Sequence, residues 1–299
     1  MPWLDQFRVV GRVMSEEHAR RPGDALIFLG DNFYSEGLQA DEAVDRIRDN
    51  YVTPWCRFVA SDGPRYAEVS EGCTVPADER RPVPILVTLG NHDYNTPDSP
   101  KLERELVPLF VSNWAMPHDL VDVHEMGHGV SVTVVDSEAL DRGVDPAPLA
   151  EALRAAQGPF RILVGHHPVS SGPTRFNRAL ETAMTAAGVP VQLVLAGHEH
   201  NLQITEPGAP FPSLVAIAGS GSRVRDVRYE VRGRKFLAVK PGFARIDLVG
   251  SGAGRRLVVS LVMTPKHQID FWSPTRVAAC WSVDVAGNVS GAPRPDGGR

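Results

Sequence analysis

Five of the ten histidines in this 299-residue chain stand in short turns that begin with glycine. These turns are Gly30-Asp31-Asn32, Gly90-Asn91-His92-Asp93, Gly165-His166-His167-Pro168 and Gly197-His198-Glu199-His200. Imidazole is a neutral nitrogen donor near neutral pH, the Asp31 carboxylate has two oxygens that can bridge two cations, and Asn91 adds a neutral carbonyl oxygen. Such a mixed oxygen and nitrogen set suits Fe, Mn or Zn better than Ca or Mg. Two such cations ~3.5–4 Å apart activate a water and clamp an in-line displacement at phosphorus. Each motif alone has an ordinary reading: His198 and His200 as surface residues, His166-His167-Pro168 as a rigid turn. Four in one chain, in the order Asp, Asn-His, His, His-x-His, point to a shared centre.

Each turn follows an aliphatic run: residues 25–29, 84–89, 160–164 and 191–196. Runs of this kind bounded by Gly read as strands buried on both faces. Between them, residues 4–20, 40–51, 148–157 and 178–187 space their apolar residues helically. Strands alternating with helices predict an α/β layered fold whose ligand groups gather where strands end. Further strands are expected at 130–135, 214–218, 243–248 and 256–263, the last two half-exposed. Residues 52–83 and 93–129 lack periodicity and read as long loops of the functional kind. The best-fitting organisation is one domain over residues 1–265 with two sheets, followed by an extension over 266–299 whose Gly- and Pro-rich end, from about Ala286, reads as disordered.

With 31 Lys and Arg against 36 Asp and Glu, the net charge is −5, so no broad basic surface for nucleic acid is expected. No apolar run approaches the ~18 residues of a membrane span. The chain opens without a basic-then-apolar leader, and its localisation stays undecided. Small phosphorylated molecules are the expected partners; oligomeric state is left open. Cys56, Cys73 and Cys280 are too few for a disulfide scaffold, although Cys56 and Cys73 flank a Gly-, Pro- and Asp-rich stretch and could pair in an exported protein.

The ordered motifs Gly30 to Tyr34, Gly90 to Asp93, Gly165 to Pro168 and Gly197 to Asn201 resemble the calcineurin-like metallophosphoesterases. Tyr34 and the His200-Asn201-Leu202-Gln203 ending resemble the purple and tartrate-resistant acid phosphatase branch in particular. Softer echoes lie at Asn113 to Pro117, Ala218 to Gly221 and Gly242 to Ala244, and the resemblance runs from about residue 4 to about 263. It implies a four-layer sandwich, two mixed β-sheets flanked by helices, with two metal ions at one edge and hydrolysis of phosphate monoesters by a metal-activated hydroxide. It makes Asp31 the carboxylate shared by both metals. Tyr34 and His200 would hold the first, usually ferric, ion, since hard Fe(III) favours phenolate oxygen. Asn91, His166 and His198 would hold the second, which is Fe, Zn or Mn in relatives. His92 matches the group that contacts the phosphoryl oxygen or protonates the leaving alkoxide, with Asp93 orienting it and His167 beside the substrate.

The family pattern also includes an apolar strand ending in Asp-x-Gly, whose Asp is a further ligand of the first metal. These residues begin in the helix that follows it, and Asp5 lacks a preceding strand. A central place in the sheet is therefore expected to be open beside its neighbours. Three functions stay in play: a two-metal phosphomonoesterase, a phosphodiesterase or nucleotidase in which the loop residues Tyr94, Trp114, His118, His124 and His128 border the site and aromatics there stack on a base, and a metal-poor remnant without activity.

Overall fold

The computed structural model describes residues 2–169, 172, 174–227, 230–266 and 275–293. Three sheets carry the fold. A short parallel sheet has the order β1 (Leu26–Phe28), β2 (Ile85–Val87), β3 (Trp114–Ala115). A seven-stranded mixed sheet is made of β4 (Val121–Glu125), β5 (Val130–Val135), β6 (Phe160–Val164), β7 (Leu193–Ala196), β8 (Leu202–Thr205), β9 (Leu214–Ala218) and β10 (Arg234–Ala238), in spatial order β10-β8-β9-β7-β6-β5-β4. The third is an antiparallel meander of β11 (Gly242–Val249), β12 (Arg256–Met263), β13 (Arg276–Asp284) and β14 (Val289–Pro293).

The aliphatic runs behave as expected of doubly covered strands. All four residues of β7 are buried, and β5, β6, β7 and β9 run parallel through the middle of the large sheet. One face, with Leu163, Val194, Val215 and Ile217, packs on the helices Ser137–Arg142, Ala147–Ala155 and Arg175–Ala187. The other face, with Val132, Ile162, Leu195 and Leu214, packs on Leu86 of β2 and on Leu257, Val259, Leu261 and Trp281 of the meander. The outer side of β1 and β2, with Leu26, Ile85 and Val87, joins Phe243 and Val262 in a third cluster beneath the N-terminal helix (Pro2–Arg20) and the helical turns between Ala43 and Trp55. The layers therefore run helix, sheet, sheet, helix.

The structure refines the expected architecture at three points. The second sheet layer is split: among the described residues β1 pairs only with β2, and β11 only with β12, although both strands contribute to the same apolar cluster. Within the expected extension the described residues 275–293 continue the meander: β13 pairs with β12 along its length and buries Ala279, Trp281 and Val283, and β14 follows beyond Ala286. The extension's last residues, 294–299, lie outside the described residues. Finally, residues 93–129 hold two short helices (Ser99–Glu105 and Val107–Phe110) as well as β3 and β4. Pro100 and Pro108 sit at helix starts, where a missing N–H costs nothing. Cys56 and Cys73 are joined as a disulfide with their Cα atoms 5.1 Å apart. No helix among the described residues is long and apolar enough to cross a membrane.

Candidate metal centre

The four Gly-led turns leave β1, β2, β6 and β7 at the same end, where the short sheet meets the large one. The approach is close enough to explain the glycines. A Cβ on Gly30, whose φ is +83°, would stand 2.7 Å from both the Gly90 nitrogen and His166 Nδ1. A Cβ on Gly90 would collide with the Asp31 side chain and its backbone nitrogen. Asp31 and His198 themselves adopt left-handed backbone, with φ of 55° and 58°. Such a conformation costs a non-glycine residue about 1 kcal/mol or more and is held where surrounding structure enforces it.

Three donor atoms converge at this junction. Asn91 Oδ1 lies 3.2 Å from His166 Nε2 and 3.1 Å from His198 Nδ1, and the two ring nitrogens are 3.2 Å apart. Asp31 Oδ1 is 3.4 Å from His166 Nε2 and accepts the His92 backbone N–H at 3.0 Å. His166 donates its Nδ1–H to the Leu29 carbonyl at 2.7 Å, which leaves Nε2 as a lone pair aimed into the cluster. Atoms about 2.1 Å from one cation stand roughly 3.0–3.4 Å apart, so this triangle fits an ion at its centre. Among the described residues, His, Cys, Asp and Glu alone form no group of three placed to hold a metal; the amide oxygen of Asn91 completes the set.

Beside the triangle, the Tyr34 ring stacks on His92 at 4.0 Å and lies 5.8 Å from the His200 ring. His200 Nδ1 is buried with no hydrogen-bond partner, an arrangement that a protein tolerates where a ligand completes it. The His198 and His200 imidazoles are held neutral. Burial pushes His198 down to about 4, reinforced by His166, and His200 to about 3, reinforced by the Arg225 charge. Neutral rings keep the lone pairs that a metal needs.

The surrounding contacts revise two expected roles. Asp93 is fully buried and accepts backbone N–H groups from Gly90 at 2.8 Å and Phe33 at 3.1 Å, so it fixes two turns instead of orienting His92. The His92 ring is oriented by the Ser35 carbonyl, 2.7 Å from Nδ1. Burial and the neighbouring Asp31 raise Asp93 to about 6, and Asn32 links it to a second buried acid, Glu103. His167 is enclosed as well. Ser137 Oγ accepts the N–H groups of His166 and His167 at 2.9 and 3.0 Å, so its own proton goes to His167 Nδ1 at 3.1 Å, while Nε2 faces Glu138 at 3.5 Å. Burial and the adjacent His166 and His198 bring His167 down to about 2. A ring engaged at both nitrogens supports its neighbours better than it reaches a substrate.

Sequence reading missed Ser35, Asn32, Glu103, Ser137 and Glu138. One signal was present: the Val130–Val135 strand also ends in polar residues, Asp136-Ser137-Glu138, without the glycine that marked the other four.

Residues 3–202 match the calcineurin-like phosphoesterase family. The chain belongs to this family. As a calcineurin-like phosphoesterase it is expected to carry a dinuclear metal centre and to hydrolyse phosphoesters. Its fold is similar to that of PhoD, with a TM-score of 0.58 and 12% identity over 98% of this chain and 70% of that one. It is also similar to purple acid phosphatase PPD1 from yellow lupin (Lupinus luteus) seeds, with a TM-score of 0.55 and 12% identity over 87% of this chain and 46% of that one. No curated protein matches the sequence.

Proposed function

We propose that this phosphoesterase hydrolyses phosphate monoesters, in the manner of an acid phosphatase, at two metals held by Asp31, Tyr34, Asn91, His166, His198 and His200. The observation that carries the reading is the triangle of Asn91 Oδ1, His166 Nε2 and His198 Nδ1, with Asp31 at its edge and His92 alongside. When bound, the two cations supply a nucleophile at neutral pH and neutralise charge on the phosphoryl oxygens. Fe at the Tyr34 side and Fe, Zn or Mn at the triangle suit the donor types.

The protein's own residues do the rest. Asp31, fixed by its left-handed backbone and the His92 N–H, faces both halves of the centre. His92 donates Nδ1–H to the Ser35 carbonyl, so the doubly protonated ring would carry its second proton at Nε2 and pass that proton to the departing alkoxide, leaving the neutral ring. Ser137, through the backbone of His166 and His167, holds the third turn in place.

The diesterase and nucleotidase reading has less support. Trp114 is packed in the core against Tyr51, and the Tyr94 hydroxyl donates to Asp136 at 2.6 Å, so neither is disposed to stack on a base. Metal content combined with turnover of an aryl phosphate and a bis-aryl phosphate tests the proposal. Near two metals per chain and faster monoester cleavage is the expected result; faster diester cleavage favours the second reading. A chain that takes up one metal or none and cleaves neither ester is the inactive remnant.

A further inference from the structure

The loop from Asp31 to Leu38, which carries Tyr34 and Ser35, is held along its length by residues 92–103. The Phe33 N–H donates to Asp93 Oδ1 at 3.1 Å, and the Ser35 carbonyl accepts His92 Nδ1–H at 2.7 Å and the Asn95 side-chain amide at 2.9 Å. Thr96 Oγ1 donates to the Glu36 carbonyl at 2.6 Å, and the Leu38 N–H donates to Ser99 Oγ at 2.7 Å. Behind these contacts stands Glu103, a fully buried acid with no part in the proposed chemistry. One of its oxygens accepts Asn32 Nδ2–H at 2.9 Å, and the other accepts the Ser99 hydroxyl at 2.9 Å. Asn32 stands at the start of the loop and Ser99 receives its end, so a single carboxyl ties the two together. The packing leaves no slack, since a Cβ on Gly37, whose φ is +79°, would stand 2.5 Å from Ser99 Oγ. The groups acting on Glu103 are Asp93, Asn32 and Ser99, none of them a cation, and burial reinforced by Asp93 pushes its carboxyl well above the usual carboxylate range. Burying such a group costs stability that an apolar side chain would not, unless its hydrogen bonds are needed where they are.

Resting on the phosphoesterase reading above, we infer that Glu103 is a positioning residue: by tying Asn32 to Ser99 it closes the Asp31–Leu38 loop and so sets the Ser35 carbonyl that aims His92 at the leaving group. It touches neither substrate nor metal ligand. Its effect on the reaction passes through one carbonyl, and that makes it selective. An alkoxide needs a proton from His92 to depart, whereas a nitrophenolate departs without one. Loss of the Glu103 tie therefore shows in the first kind of ester and hardly in the second.

The test compares the full chain as wild type, Glu103→Leu, Glu103→Gln and Ser99→Ala. In the metal-free protein, amide exchange at Phe33 and Leu38 is expected to quicken about 10-fold or more in Glu103→Leu, with the amides of β6 and β7 unchanged. In the metal-loaded protein, kcat for an alkyl phosphate falls about 10-fold or more and kcat for a nitrophenyl phosphate far less, with KM for both within about 2-fold of wild type. Glu103→Gln recovers most of the loss, because its amide keeps one acceptor oxygen and can donate to Ser99 Oγ. On a His92→Ala background, Glu103→Leu leaves the ratio of the two rates unchanged. Ser99→Ala, which frees only the Leu38 end, shows the same pattern at smaller size and carries the comparison if Glu103→Leu does not fold. Equal losses for the two esters, or exchange that quickens throughout the chain, overturn the inference and make Glu103 a general prop of the core. Unchanged exchange and kcat in Glu103→Leu overturn it as well. A wild-type chain that takes up metal but cleaves neither ester refutes the functional proposal alone, and exchange at Phe33 and Leu38 still decides whether Glu103 holds the loop.

Discussion

The two halves of the centre are built differently. Asn91, His166 and His198 leave strands of both sheets, and backbone contacts bind those strand ends: Leu29 to His166 at 2.7 Å, and Ser137 to the His166–His167 backbone. Tyr34 and His200 meet edge to face, and the His200 turn is tied to the following loop where its carbonyl accepts the Arg225 backbone N–H. One half is preorganised by sheet geometry. The proposed other half rests on the ring contacts of Tyr34 with His92 and His200, and this contrast says where each substitution should act.

The largest effect is expected from the residue common to both halves. Asp31→Ala should remove metal from both positions and lower turnover by more than about 100-fold, since loss of a mere supporting partner already costs about 10–100-fold. Elemental analysis of the purified variant checks it; two retained metals would erase the proposed division. His92→Ala should slow turnover about 100-fold or more while both metals stay bound, which separates proton delivery from assembly. Ser137→Ala should weaken metal affinity at the triangle by about 10-fold while sparing the Tyr34 side, read as one tight and one weakened site in a metal titration. Equal weakening of both sites would show that the two halves are mechanically one.

The smallest effect is on stability without metal. Folding holds His167, His198 and His200 neutral, at about 2, 4 and 3. An unfolded imidazole titrates near pH 6.5, so between about pH 6.5 and 4 the unfolded chain binds more protons and stability falls as the solution is acidified. The well-buried His167 contributes up to about 1.4 kcal/mol per pH unit in that window and nothing to the slope above pH 7. Urea unfolding in a chelator across pH 7.5 to 5 measures it, and bound metal should keep or steepen the slope, because it too holds the rings deprotonated in the folded state.

The sequence was most informative where one residue type had one structural use. Aliphatic runs ending in Gly marked β1, β2, β6 and β7, and β5, β9 and β12 matched their expected ranges. What stayed hidden depended on contacts between distant segments. Asp93 looked like a partner for the adjacent His92, but only the fold shows its carboxylate turned to Gly90 and Phe33. Ser137 and Glu103 carry no motif, because a hydroxyl or carboxylate that supports a ligand is identical in sequence to one that caps a helix. The short helices after Ser99 were masked by their prolines, and β13 and β14 by the Gly-rich composition around them.

Gly30 and Gly90 have a consequence for how a mutational map of this protein would look. Neither offers an atom to a metal or to a substrate, yet a single methyl group on Gly90 would have to occupy the space of Asp31. Gly90→Ala should therefore be as poorly tolerated as loss of a ligand, with every ligand still encoded. Intolerance at such positions records how little room the crossing strands leave. An inventory of chemically active side chains would count the centre intact after the change that dismantled it.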